Sequence, residues 1–144
     1  DIYDTGRFTT LFYMMVDSKN HRLKWVRAGH DAALLYDPAS KGFEELYGSG
    51  LALGWDENYQ YEENEHADLT AGQIIFLGTD GIWETFDISG NPFGKETLKD
   101  IIRHKAAASA DEIMNEILTA LRRFRQGKEP EDDVTLVVIK IVED

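Results

Sequence analysis

Apolar positions along the 144 residues change their period once, about two thirds of the way through the chain. Before that point they alternate or come in short blocks, which is the period-2 signature of strands. Arg7–Val16 (RFTTLFYMMV) is rich in aromatic and β-branched residues and nearly continuous in apolar content, which predicts a strand covered on both faces. Asp17-Ser18-Lys19-Asn20 is turn material, and Arg22–Ala28 (RLKWVRA) alternates, so the two runs predict a hairpin. Ala32–Tyr36 reads as a short strand after a Gly-His-Asp break, and Phe43–Leu46 as a weak return strand after the Asp37-Pro38 turn. Tyr59–Glu65 (YQYEENE) predicts an exposed strand, and Gln73–Leu77 (QIIFL) a buried one.

The last third switches to helical spacing. Leu98, Ile101 and Ile102 share a face within Lys95–Ala107. Ser109 followed by Glu112 is a capping box that opens a stronger helix, with Ile113, Met114, Ile117, Leu118, Leu121 and Phe124 on one side. Arg122, Arg123 and Arg125 fall in its last turns, where cations favour the helix dipole. Gly127 is the predicted stop, and Pro130 blocks further helix. Val134–Val142 (VTLVVIKIV) predicts a central strand. Six or seven strands, two helices and a final strand describe an α+β domain in which helices lie on antiparallel sheets.

Composition narrows the function classes. Fifteen Lys+Arg stand against 27 Asp+Glu, a net charge of −12, so neither nucleic acid nor an anionic membrane is the expected partner. The absence of cysteine removes a disulfide scaffold, a thiolate metal site and a cysteine nucleophile, and it fits a cytoplasmic location. No apolar run approaches the roughly 20 residues that span a bilayer. The chain begins with Asp, without a charged-then-apolar leader, which predicts a piece of a longer protein with no visible signal peptide.

Four constellations carry candidate chemistry. Gly78-Thr79-Asp80-Gly81 directly follows the buried strand, where a fixed carboxylate suits a hard cation such as Mg²⁺ or Mn²⁺ and the glycine permits a sharp turn and close approach to a ligand. Taken alone, an Asx-turn or a helix N-cap is the commoner reading. Glu131-Asp132-Asp133 directly precedes the last strand; alone, it reads more often as a solvated acidic loop. If the two strands are neighbours, their carboxylates meet over one sheet edge. Ala28-Gly29-His30-Asp31 offers a general acid or phosphate contact, with hairpin-turn residues as the plainer alternative. Gly48-Ser49-Gly50-Leu51-Ala52-Leu53-Gly54 lacks the Lys-Ser/Thr of a P-loop and reads as a structural loop. The acidic run Glu62–Glu65 reads as a solvated face.

Phe8-Thr9-Thr10-Leu11-Phe12-Tyr13, Ala28-Gly29-His30, Leu51-Ala52-Leu53-Gly54, Phe76-Leu77-Gly78-Thr79-Asp80-Gly81 and Asp132-Asp133-Val134-Thr135-Leu136-Val137-Val138 together resemble bacterial metal-dependent protein phosphatases of the PPM (type-2C) superfamily. The nearest branch is that of stage II sporulation protein E and the stress-response regulator phosphatases. The resemblance implies a β-sandwich flanked by helices, with two Mn²⁺ or Mg²⁺ ions at one edge and a bridging water that attacks phosphorus. It implies hydrolysis of phosphoserine or phosphothreonine on a regulatory protein, such as an anti-sigma-factor antagonist, and an upstream regulatory domain. By motif position Asp80 and Asp132 match metal ligands, and Asp133 matches a position that is commonly Asp or Asn beside the ligand. His30 falls where eukaryotic relatives carry the Asp of a Gly-Asp-Ser element, which implies a catalytic role near metal or phosphate.

The chain departs from the family in one respect. The family's first half carries a Gly-Asp pair and a later Asp-x-Ser/Gly element, and neither is found here. Asp1 and Asp4 instead fall at the tail of a helix-to-strand connection. Residues 1–144 are therefore expected to be the C-terminal portion of a single PPM-type domain, with an incomplete metal site. The rival expectations are a catalytically incomplete phosphatase-like interaction or sensing module, and a metal-dependent hydrolase of a small phosphorylated metabolite.

Overall fold

Residues 7–143 are described in the computed structural model, and their strands pair as two antiparallel sheets. Strand β1 (Leu11–Asp17) pairs along its whole length with β2 (Arg22–Ala28), from Leu11 opposite Ala28 to Asp17 opposite Arg22. The Asp17 carboxylate closes the turn between them by accepting from the backbone N–H groups of Lys19 and Asn20 and from the Asn20 side chain. Those bonds hold its pKa below the ordinary carboxylate range, with the Asn20 side chain as the largest cause. Strand β3 (Ala33–Asp37) and β4 (Gly42–Leu46) follow, then the short β5 (Asn64–His66). Strand β6 (Ile74–Gly78), the helices α1 (Lys95–His104) and α2 (Ala110–Arg125), and β7 (Leu136–Lys140) complete the order. One sheet runs β1-β2-β5 and the other β4-β3-β6-β7.

The chain divides into two units, the first made of the segments up to Ala32 and from Glu45 to Thr70, the second of Ala33–Glu44 and Ala71 onward. In the first unit, Leu23, Trp25, Ala28, Leu46 and Leu69 are buried. The Trp25 indole N–H donates to the carbonyl of Tyr47 at 2.7 Å, so its one polar atom is satisfied. The loop carrying Gly50 lies against β2 so closely that a Cβ there would stand 1.7 Å from the Arg27 carbonyl oxygen. Gly50 thus serves backbone packing, as the structural reading of this loop expects.

In the second unit both helices cover one face of the four-stranded sheet. Leu34, Tyr36, Ile74 and Phe76 from that face pack with Leu98 and Ile102 of α1 and with Ile113, Ile117 and Leu121 of α2. Leu35 and Ile75, on the opposite face, are equally buried. The capping box is present, with Ser109 Oγ accepting from the Glu112 N–H and the Glu112 carboxylate accepting from the Ser109 N–H. The Lys140 ammonium donates to the carbonyls of Ala106 and Ala108, tying the link between the helices to β7.

Several boundaries differ from the sequence expectation. Strand β1 is not covered on both faces: Leu11, Tyr13 and Met15 alternate on an exposed side of an edge strand. Continuous apolar content alone does not distinguish a buried strand from an edge with one apolar open face. Only Asn64–His66 of the region around Tyr59–Glu65 forms a strand, because pairing to β2 spans only Leu23–Trp25. Glu63 and Glu65 there are exposed yet have cationic partners, with Lys24 Nζ at 2.6 Å and Arg22 Nη1 at 2.8 Å. The first helix stops at His104 rather than at Ala107. The second ends one residue before a left-handed Gln126 (φ 51°), with Gly127 following it rather than making the cap. Asp1 and Asp4 lie outside the described residues.

Two outcomes follow from this packing. Ile117 is fully buried beneath α2, so Ile117→Ala is expected to lower stability by about 2–5 kcal/mol, read from the urea midpoint with an unchanged slope. The Ser109 N–H, then its hydroxyl, hold the Glu112 carboxyl below its ordinary value of 4.5. A carboxyl lowered by folding stabilises above its unfolded pKa, and that contribution is lost as pH falls through the folded value. The stability gap between the native protein and Glu112→Gln is thus expected to be widest at neutral pH and to close as pH falls below 4.5 and through the folded value. A gap that stays constant across this range would contradict the assignment.

Candidate functional site

The candidate site is built by the pairing of β6 with β7. Ile74 stands opposite Lys140, Phe76 opposite Val138 and Gly78 opposite Leu136. Because the strands are antiparallel, the end of β6 and the start of β7 lie at the same sheet edge. Asp80 leaves the one strand there, and Asp132 and Asp133 enter the other. The pairing continues one step past the strands: the Thr79 N–H donates to the Thr135 carbonyl at 3.0 Å. The Thr79 hydroxyl then acts twice, accepting from the Thr135 N–H at 3.2 Å and donating to the Asp133 carbonyl at 3.2 Å. One short side chain thereby ties the two acidic turns together.

Gly81 also lies against the Asp133 loop. A Cβ there would stand 2.5 Å from the Asp133 carbonyl oxygen and 3.7 Å from the Asp132 Cβ. The glycine's close approach is to the neighbouring acidic loop of its own chain, where the sequence reading assigned it to a ligand. After Gly81 the chain turns tightly: the Ile82 N–H donates to the Thr79 carbonyl at 3.1 Å and the Glu84 N–H to the Asp80 carbonyl at 2.9 Å. Ile82 is fully buried in the helix-covered core, so the turn is anchored by an apolar side chain as well as by hydrogen bonds.

The carboxylates themselves are exposed. Asp80 Oδ1 accepts from the Gly81 N–H at 2.9 Å and Asp132 Oδ1 from the Asp133 N–H at 2.7 Å. Each Oδ1 is thus oriented by backbone, while each Oδ2 has no hydrogen-bond partner among the described residues. A cleft of about 160 Å³ opens beside them. Gly81, Glu84 and Thr85 line it from the β6 turn, Arg125 and Lys128 from the end of α2, and Glu131 and Asp132 from the approach to β7. The sequence reading singled out neither Thr79 as a tie nor Arg125 and Lys128 as part of a site. Thr79 sits inside a motif that stands out for its carboxylate, Arg125 reads as a helix-end charge, and Lys128 lies beyond the predicted stop at Gly127.

His30 belongs to the first unit, Asp80, Asp132 and Asp133 to the second. Within its unit His30 is half-buried. Its Nδ1 lies 3.3 Å from the Thr10 hydroxyl, and its carbonyl accepts from the Arg27 guanidinium.

Carboxylate oxygens are the donors that Mg²⁺ and Mn²⁺ prefer. Asp80 and Asp132 fit such an ion in donor type and in the open Oδ2 that each presents. Among the described residues, no group of three or more His, Asp or Glu is arranged to hold a metal. The two aspartates therefore fit as part of a site.

Comparison with known proteins bears on the family and the fold. The family model described as Stage II sporulation protein E (SpoIIE) matches residues 1–142. Phosphoserine phosphatase RsbU of Bacillus subtilis is 29% identical over 138 residues, which cover 95% of this chain and 40% of that protein. Among solved structures, the SiaA-PP2C domain of Pseudomonas aeruginosa superposes with a TM-score of 0.78 at 22% identity, covering 92% of this chain and 51% of that one. The Mn-presoaked phosphatase domain of SpoIIE from Bacillus subtilis superposes with a TM-score of 0.69 at 20% identity, covering 94% and 57%. These structures share the fold. The chain spans 21–40% of the length of the curated relatives it matches.

The hydroxyl of Thr79 gives a test that needs no assumption about activity. Thr79→Val keeps the shape but leaves the Thr135 N–H without its acceptor. Loss of a bond worth about 1–1.5 kcal/mol is expected to speed exchange of that amide roughly tenfold. Hydrogen exchange resolved at Thr135 checks this, with the Ile75 amide, in the middle of β6, as the unaffected control.

Proposed function

We propose, since the chain belongs to the Stage II sporulation protein E (SpoIIE) family, that it is the C-terminal portion of a cytoplasmic, metal-dependent protein serine/threonine phosphatase domain. Its substrate is a phosphorylated regulatory protein, such as an anti-sigma-factor antagonist. The observation that carries this reading is the convergence of the Asp80 and Asp132 turns at one sheet edge, held by Thr79. The phosphatase named among the relatives supports the reaction class.

Asp80 and Asp132 would hold divalent Mn²⁺ or Mg²⁺ through their open oxygens, two ions being expected in the complete domain. Such ions supply water activation and charge neutralisation at the phosphoryl group. The work of this chain is to hold the two carboxylates in register with one another. Backbone N–H groups fix one oxygen of each. Thr79 and the bare Cα of Gly81 hold their loops at contact distance. No serine or cysteine of this edge need attack phosphorus, because the nucleophile is water. Asp133, beside Asp132, belongs to the same acidic loop.

The test is turnover of a phosphoserine peptide by the full-length protein with Mn²⁺. Asp80→Asn and Asp132→Asn are each expected to lower kcat/KM at least a hundredfold, about 2.7 kcal/mol of transition-state stabilisation. Chelation is expected to abolish turnover and Mn²⁺ to restore it. Turnover that survives both substitutions would overturn the assignment, and no turnover by the native protein would favour an interaction module.

A further inference from the structure

Arg125 is the group in the cleft whose chemistry is least explained by the fold. It ends α2, where a cation meets the negative end of the helix dipole. That accounts for a charge at this position but not for where the side chain goes. Its Nε is buried and has no hydrogen-bond acceptor among the described residues. A buried donor without a partner is costly, and such atoms in folded proteins usually mark a missing ligand or water. Carboxylates of Glu84, Glu129, Glu131 and Asp132 line the same cleft, yet Arg125 takes part in no ion pair of the described residues. Lys128 differs: its ammonium is paired with Glu131, three residues on. Arg125 is thus a cation held inside the cleft and left uncommitted.

The guanidinium presents a planar fork that matches the oxygens of a phosphoryl group. The cleft has room for several waters, and Asp132, the carboxylate proposed to hold a divalent ion, forms part of its wall. We infer that Arg125 binds the phosphoryl oxygens of the substrate, with Nε as one of the donors. The inference rests on the phosphatase reading for the identity of the anion. Lys128 is tied to Glu131, which leaves Arg125 as the phosphate contact. The exposed Glu84 and Glu129 make the empty cleft acidic. Anion binding there is therefore expected only when divalent ions offset the aspartates.

Inorganic phosphate is the probe, titrated calorimetrically into the Mn²⁺-loaded full-length protein. Arg125→Gln is expected to weaken phosphate binding at least tenfold, while Arg125→Lys, which keeps the charge but loses the fork, is expected to fall between. Mn²⁺ affinity, measured separately, is expected to be unchanged in both variants. Lys128→Gln is expected to leave phosphate affinity within twofold of the native value. In turnover assays, KM for the phosphopeptide is expected to rise with the phosphate dissociation constant in Arg125→Gln. Equal phosphate affinity in native protein and Arg125→Gln would overturn the assignment, as would a matching loss of Mn²⁺ affinity, which would show a purely structural role. Phosphate binding that depends on Arg125 in a protein without turnover would refute the phosphatase reading and leave the anion site standing.

Discussion

The antiparallel register of β6 and β7 is the constraint on which the candidate site depends. Two strands paired from Ile74–Lys140 to Gly78–Leu136 must bring the exit of one and the entrance of the other to the same edge. A slip of one residue would turn the apolar face of β7 away from the helices and move Asp132 away from the Asp80 turn together. The register is fixed from both ends. At the closed end the Lys140 ammonium binds the carbonyls of Ala106 and Ala108. At the open end the Thr79 hydroxyl bonds both sides of the Asp133–Thr135 segment.

The helices contribute through that sheet rather than through the site directly. Ile113, Ile117 and Leu121 of α2 pack with Ile74, Phe76 and Val138, so burial of the helix face holds β6 and β7 flat against a common core. The same helix ends at Arg125, beside the acidic loops. Core packing, strand register and the lining of the cleft are therefore one mechanical unit. Ile82 joins them, since it is a fully buried residue only two positions after Asp80. An exposed carboxylate is positioned by apolar burial next to it.

Much of this was legible in the residues, and the parts that were not have a common cause. The hairpin of β1 and β2, the capping box of α2 and the strand character of β6 and β7 rest on local signals: turn residues, a Ser-x-x-Glu spacing, runs of β-branched side chains. The reach of pairing is not local. Tyr59–Glu63 has strand-like alternation, yet the pairing to β2 begins only at Asn64, opposite Trp25, so only Asn64–His66 is extended against β2. The open face of β1, with Leu11, Tyr13 and Met15, follows from its place at a sheet edge, which no pattern within Arg7–Val16 records. Arg125 reads as a helix-end cation because its helix is local; its neighbours in the cleft come from the distant turn at Glu84 and from the loop at Asp132.

The sequence by itself determined the elements, their order, the α+β class and the two acidic turns that end strongly apolar strands, because each depends on residues a few positions apart. Its motif order also determined the family. Tertiary structure decided that those turns meet, that Thr79 rather than any carboxylate ties them, and that Gly81 is needed for a backbone contact. It also decided that Arg125, whose buried Nε has no hydrogen-bond partner among the described residues, shares their cleft. The contacts of Thr79 and Gly81 with the Asp133 loop each span more than fifty residues of chain. Such contacts exist only once apolar burial has folded the sheet and helices together.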